Sequence, residues 1–173
     1  LPLPDTRREE LERYVAACAV AAPEFRWAPA SNLHLTIRFL GHVELSIAEG
    51  IADQLADLDL EGFELRMGEA GAFKRGRLAR VVWLGLASGA SEIGVLAEAV
   101  EAACVGAGLE AESRRFHVHL TLARSRARDG AVLPALPPPP ELGAWRADGL
   151  ILYRSHLGRG GSVYEPLRTV RLS

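Results

Sequence analysis

The sequence predicts an α+β fold of two pseudo-twofold-related lobes, with mostly antiparallel sheets lining a central cleft and helices outside. Three observations lead there. Helix-period and strand-period segments follow the order helix, strand, helix, strands, helix, strand, linker, strands, with hairpin-like neighbours. A four-residue block, His34-Leu35-Thr36-Ile37, returns 85 residues later as His119-Leu120-Thr121-Leu122. Half a chain length apart, the two copies mark a duplicated half-domain. The 173 residues, 49% hydrophobic and 24% charged, are enough for one bilobal domain over 1–173 with a sizeable core.

Each element has its own reason. Residues 5–20 place Leu11, Val15 and Cys18 about one helical turn apart, with Asp5 or Thr6 available as N-cap. Residues 33–39 alternate, with Leu33, Leu35, Ile37 and Phe39 on one face and His34, Thr36 and Arg38 on the other, the period of a half-buried strand. A capping box, Ser46-x-x-Glu49, opens a helix with a stripe of Ile47, Ile51, Leu55 and Leu58. Strand-like runs near 62–67 and 79–87 are joined by a basic turn, Lys74-Arg75-Gly76-Arg77. A third helix over about 91–107 has Ser91 as cap, Ile93, Leu96, Val100 and Cys104 inward, and Gly108 as stop. Residues 116–123 alternate again, Val118, Leu120 and Leu122 against His117, His119 and Thr121. The proline-rich run at about 134–140 reads as a stiff extended crossover. Two last strands, about 149–154 and 162–171, flank a glycine-rich turn, Gly158–Gly161.

Composition narrows the function. A net charge of −2 excludes a general duplex-coating protein, though not a local phosphate site. Cys18 and Cys104 have no metal-ligand spacing and read as buried thiols of a reducing compartment. No apolar run approaches a membrane span and no signal peptide is evident, so a cytoplasmic monomer is expected.

The repeat carries the chemistry. On both strand-like copies the histidine and threonine face away from the apolar residues, so strands meeting on a pseudo-twofold axis would bring two imidazoles and two hydroxyls into one cleft. Imidazole titrates near neutral pH, so one copy can accept a proton while the other donates one. Opening a 2′,3′-cyclic phosphate needs that pair: a base to activate water and an acid for the departing ribose oxygen. Threonine hydroxyls can bond the non-bridging oxygens. One His-x-Thr alone carries little weight; two in matched context carry much more. His117-x-His119 is also a candidate two-ligand metal pair, without a third ligand at diagnostic spacing. His42 and His156 are isolated.

Residues 26–41, RWAPASNLHLTIRFLG, closely resemble the first signature of the 2H phosphoesterases, in the bacterial branch called RNA 2′,3′-cyclic phosphodiesterase or 2′-5′ RNA ligase. Residues 115–124, RFHVHLTLAR, look like its second signature, and residues 150–167 like its C-terminal strand pair. The resemblance implies His34 as proton donor to the leaving oxygen and His119 as the acceptor that activates water. It makes Thr36, Thr121 and Arg124 phosphate contacts, and implies no cofactor or metal. The implied substrate is RNA ending in a 2′,3′-cyclic phosphate, opened to a 2′-phosphate, with 2′-5′ joining in some members.

Two departures stand out. The chain opens at LPLPDTRREE without the short strand that usually precedes the first helix, so either a strand is missing or that lobe has a different edge. Val118 stands where the second signature usually has proline. Arg124, five residues after His119, has the wrong parity to share its face unless the strand ends or bulges near Ala123. Arg38, four after His34, has the right parity and is a further candidate phosphate contact. Arg114, Arg115, Arg124, Arg126 and Arg128 form a candidate basic rim, and Lys74–Arg80 a second. Phe39, Phe116 and Tyr164 are candidates for stacking the terminal base. The competing readings are an RNA-end binding module without turnover and a metallohydrolase using His117 and His119.

Overall fold

Apolar spacing puts the first helix where it is expected. In the computed structural model, which describes residues 1–158 and 161–173, α1 (Asp5–Ala21) buries Leu11, Tyr14, Val15 and Cys18 along one stripe. It starts behind Pro4, and neither Asp5 nor Thr6 caps it. α2 (Leu45–Ala56) corrects the expected capping box. Glu44 takes the N-cap position with no side-chain bond, because the helix begins one residue before Ser46. Its buried stripe is Ala48, Ile51, Ala52 and Leu55, whereas Ile47 and Leu58 remain exposed. α3 (Ala90–Gly106) starts behind Gly89 rather than Ser91, and buries Ile93, Leu96, Val100 and Cys104 as predicted. Gly108, at φ 90°, ends the helical path.

The strands are β1 (Phe25–Trp27), β2 (Phe63–Arg75), β3 (Leu78–Ser88), β4 (Leu120–Ser125), β5 (Trp145–Ala147), β6 (Gly149–Gly158) and β7 (Gly161–Arg171). Five form a sheet in the order β1-β4-β3-β2-β5 and two form a β6-β7 hairpin, every pairing antiparallel. The β2–β3 turn is tighter than read from sequence, since β2 runs to Arg75 and Gly76 supplies φ 59° at the tip. Part of the Gly158–Gly161 turn, residues 159–160, lies outside the described residues.

Residues 33–39 do not form a strand of either sheet. Only His34 and Leu35 pair, through antiparallel bridges to Pro2 and Leu120. The backbones of Leu1 and Leu35 bond each other in both directions, so residues 1–3 edge this lobe. From residue 132 to 144 the chain is irregular, as the prolines require, and Tyr14 Oη donates to the Pro137 carbonyl at 3.3 Å. The main core joins all three helices to Leu33, Leu35, Leu65, Leu84, Leu120 and Leu122. A smaller one gathers Ala22, Phe25, Ala79, Val82 and Ala123. Cys18 and Cys104 are free and buried. No helix among the described residues is long and apolar enough to cross a membrane.

Candidate active site

The Leu35–Leu120 bridge is where the two His-x-Thr motifs meet. Both leucines are buried, at 1% and 0% exposure, and side chains on an extended chain alternate between faces. The residues on either side of each leucine therefore point the opposite way. In antiparallel register one step from the bridge, His34 stands against Thr121 and Thr36 against His119. A pseudo-twofold axis through that bridge exchanges the two motifs.

Each imidazole is held the same way. His34 Nδ1 lies 2.8 Å from the Asn32 carbonyl and His119 Nδ1 lies 2.6 Å from the His117 carbonyl, two residues back in both cases. A carbonyl can only accept, so Nδ1–H donates and Nε2 is free for the cleft. Burial pushes both histidines below their ordinary pKa, opposed in each by that carbonyl bond. For His119 the neighbouring His117 and Arg124 push further in the same direction.

The walls differ. His34 meets Tyr164 edge-on, with centroids 4.7 Å apart, and Tyr153 at 5.6 Å. The hairpin carrying both tyrosines is pinned by Asn32 Nδ2, which donates to the Ser162 carbonyl at 2.7 Å. It is pinned again by an Arg168–Asp53 ion pair to α2. Asn32 thus fixes the wall with its side chain and the imidazole with its carbonyl. His119 meets Phe73 edge-on at 4.8 Å, and Trp83 and His117 at 6.5 Å and 6.0 Å. Trp83 lies across its partner strand at Gly71, where an added Cβ would fall 2.3 Å from the ring.

Arg124 reaches this face through a bulge. Val82 pairs with Ala123 and Trp83 with Thr121, so β3 advances one residue while β4 advances two, and Leu122 is the extra one. Leu122 and Ala123 are both buried, and the alternation restarts with Arg124 on the side of Thr121 and His119. Arg26 is its direct partner across β1.

The remaining candidates separate. Arg38 does not join the site. Its guanidinium is only 13% exposed, with Nε 2.6 Å from Glu101 Oε2, an ion pair without hydrogen-bond geometry. Nη2 donates to the Glu110 carbonyl at 2.7 Å. Arg38 has the parity that alternation requires, but those acceptors hold it. Phe39 and Phe116 are exposed, at 64% and 38%, whereas Tyr164 is in ring contact with His34. Of the basic rim, Arg114 turns to Glu112 at 3.3 Å and Arg126 Nε donates to the Pro23 carbonyl. Arg124 and Arg128 line an open cavity of about 560 Å³ with Lys74, Arg75 and Arg80. Among the described residues no group of three His, Cys, Asp or Glu side chains could hold a metal, so His117 and His119 lack a third ligand. His156 pairs with Glu165 on the hairpin.

The family profile described as LigT like Phosphoesterase matches the chain twice, over residues 1–83 and 84–164. The chain belongs to the LigT-like phosphoesterase family. A relative from Aeropyrum pernix named RNA 2′,3′-cyclic phosphodiesterase is 34% identical over 146 residues, 81% of this chain and 82% of its own length. One of the same name from Escherichia coli is 32% identical over 139 residues, covering 80% and 75%. The crystal structure of Escherichia coli LigT complexed with 3′-AMP superposes with a TM-score of 0.85 at 29% identity, over 100% of this chain and 95% of that one. The double match puts one His-x-Thr in each half of this LigT-like phosphoesterase, as the repeat predicts. Sequence reading missed Tyr153, Phe73 and Trp83 around its histidines. Only Trp83 was within reach, since alternation in 79–87 sets it opposite buried Val82 and Leu84.

Proposed function

We propose that the protein hydrolyses RNA ends carrying a 2′,3′-cyclic phosphate to 2′-phosphate without a bound metal, His34 acting as proton donor and His119 as proton acceptor. The observation that carries this is the Leu35–Leu120 bridge, with both flanking imidazoles tied through Nδ1 to backbone carbonyls. Membership of a phosphoesterase family whose relatives bear the name RNA 2′,3′-cyclic phosphodiesterase supports the same reaction.

His119 Nε2 takes a proton from water as its oxygen bonds to phosphorus. The bond from phosphorus to O3′ breaks, and His34 Nε2–H protonates O3′. A 2′-phosphate and a 3′-hydroxyl remain, and the histidines exchange protons with solvent to reset. Thr36, Thr121 and Arg124 bind the non-bridging oxygens, where negative charge grows. Tyr164 is a stacking surface for the terminal base. A ribose 5′-hydroxyl in place of water gives a 2′-5′ linkage by the same steps. RNA with a cyclic phosphate end is the partner, and a cytoplasmic monomer suffices.

Incubation with 2′,3′-cyclic AMP in EDTA tests this. Hydrolysis should persist, and His34→Ala and His119→Ala should each lower kcat by roughly 10²–10⁴-fold. Loss of activity in EDTA, restored by a divalent metal, would overturn the metal-free mechanism. Tight binding of cyclic-ended RNA without turnover would point to a binding module.

A further inference from the structure

The cavity that takes in Arg124 extends over β3 and β2 towards the hairpin tip and shares Phe73 with the wall of His119. Phe73, Lys74, Arg80, Val81, Arg124 and Arg128 line it. A second bulge arms this stretch. Phe73 pairs with Val81 and Lys74 with Ala79, so Arg80 is an extra residue in β3, and it lines the cavity beside Val81 while Ala79 stays buried. Arg124, which lines the cavity, has Arg26 as its direct cross-strand partner. Like charges set opposite each other destabilise a sheet unless an anion lies between them. Among the described residues no carboxylate lines the cavity; Asp129 pairs at 3.6 Å with exposed Arg75 at its edge. Arg80 on β3 is one interstrand spacing from β4 and Lys74 on β2 is two, roughly 5 and 10 Å, so the positive charge continues past Arg124 towards the hairpin tip.

We propose that this trough is a second phosphate subsite, in which Lys74, Arg80 and Arg128 hold the 3′,5′-phosphodiesters immediately upstream of the cyclic end. It rests on the function proposed above and names where the RNA upstream of the cyclic end is held, a part that a cyclic mononucleotide lacks. The shallow, open shape and single aromatic wall at Phe73 suit a single-stranded backbone, which is tracked by charge without reading sequence.

The test compares kcat/KM for a cyclic-ended triribonucleotide and for 2′,3′-cyclic AMP, together with equilibrium binding of a fluorescent trinucleotide ending in a 3′-phosphate. The trinucleotide should be the better substrate. The triple variant Lys74→Gln/Arg80→Gln/Arg128→Gln should lower its kcat/KM and affinity on the order of tenfold, and leave 2′,3′-cyclic AMP within about twofold. The salt slope of log affinity should flatten by about 0.7 for each charge removed. Arg13→Gln, which removes one charge from the exposed side of α1, should change neither ratio nor slope. Equal turnover of the two substrates by the native protein, or equal losses on both in the variant, would overturn the subsite. If the native protein turns over neither substrate but the trinucleotide binds through these three residues, the hydrolase reading fails and the subsite stands.

Discussion

Gly71→Ala is a one-methyl perturbation that should be felt at His119. The glycine is in β2 opposite Trp83, and an added Cβ would fall 2.3, 2.5 and 2.7 Å from three carbons of the indole. Real Cβ atoms do not approach so closely, so the ring must move. Alanine in a strand recovers about 0.4–1 kcal/mol of chain entropy relative to glycine. Forcing a packed ring from its place costs about 1–3 kcal/mol, and weakened aromatic contacts to Phe73 and His117, at 5.4 and 5.3 Å, add to that. The clash wins, leaving roughly 1–2 kcal/mol of destabilisation. For a chain this long that lowers Tm by about 2–8 °C. The kinetic effect should be larger in proportion, because Trp83 and Phe73 back the His119 ring and a shift near 1 Å in a reacting group costs up to about a hundredfold. Thermal unfolding, with kcat and KM on 2′,3′-cyclic AMP, measures both. Trp83→Phe in the Gly71→Ala background removes the colliding atoms and should restore part of each loss, a coupling that a double-mutant cycle isolates. Native Tm and native kcat in Gly71→Ala would refute the packing account of how His119 is held.

Arg38→Met should cost about 1–3 kcal/mol, between the values for exposed and buried ion pairs, and change kcat/KM less than about threefold; a loss of a hundredfold or more would return Arg38 to the phosphate. Burial holds both site histidines below their ordinary value near 6.5, so the unfolded chain binds more protons and stability falls as pH drops through that value. Acid titrations of Tm should flatten in His34→Gln and His119→Gln. With both free-enzyme values lowered, the bell-shaped kcat/KM profile should peak on the acid side of about 6.5, and a peak near pH 8 would contradict it. A nucleoside 2′-phosphate 4-nitrophenyl ester, whose leaving group needs no proton, should lose less than about tenfold in His34→Ala but 10²-fold or more in His119→Ala; equal losses would remove the assignment of roles.

Legibility followed the reach of local pattern. Alternation around Leu35 and Leu120 was enough to separate core from cleft, because a half-buried strand writes its faces into every second residue. The same rule fails at Phe39, which lies outside any ladder and whose ring nothing buries. The strand-like run near 62–67 stops short of Gly68-Glu69-Ala70-Gly71-Ala72, a stretch poor in strand formers. Pairing with β3, and the room Gly71 leaves for Trp83, hold it extended to Arg75. β5 is three residues after a proline-rich run and exists only because Phe63–Leu65 pairs with it. The place of Arg124 was legible as a condition, a bulge near Ala123, and only the β3 register shows that Leu122 meets it. Tyr153 had no local signal, since its contact with His34 spans most of the chain.

Two copies of one motif can take opposite roles only if something breaks their symmetry, and the Leu122 bulge supplies it. Counted five residues on from the histidine, Phe39 and Arg124 are equivalent positions. In the first copy that side chain is exposed and the preceding arginine is bound to Glu101. In the second, the extra residue turns Arg124 onto the cleft face, where it and His117 oppose a positive charge on His119. His34 has two tyrosine rings beside it instead. An adjacent guanidinium opposes a second positive charge, and Arg124 does so at His119, which suits that copy to the proposed base and leaves the proposed acid to His34. In the proposed mechanism, phosphate at Arg124 would reinforce the difference, since neutralising that arginine would let His119 accept its proton just as the attacking water gives it up.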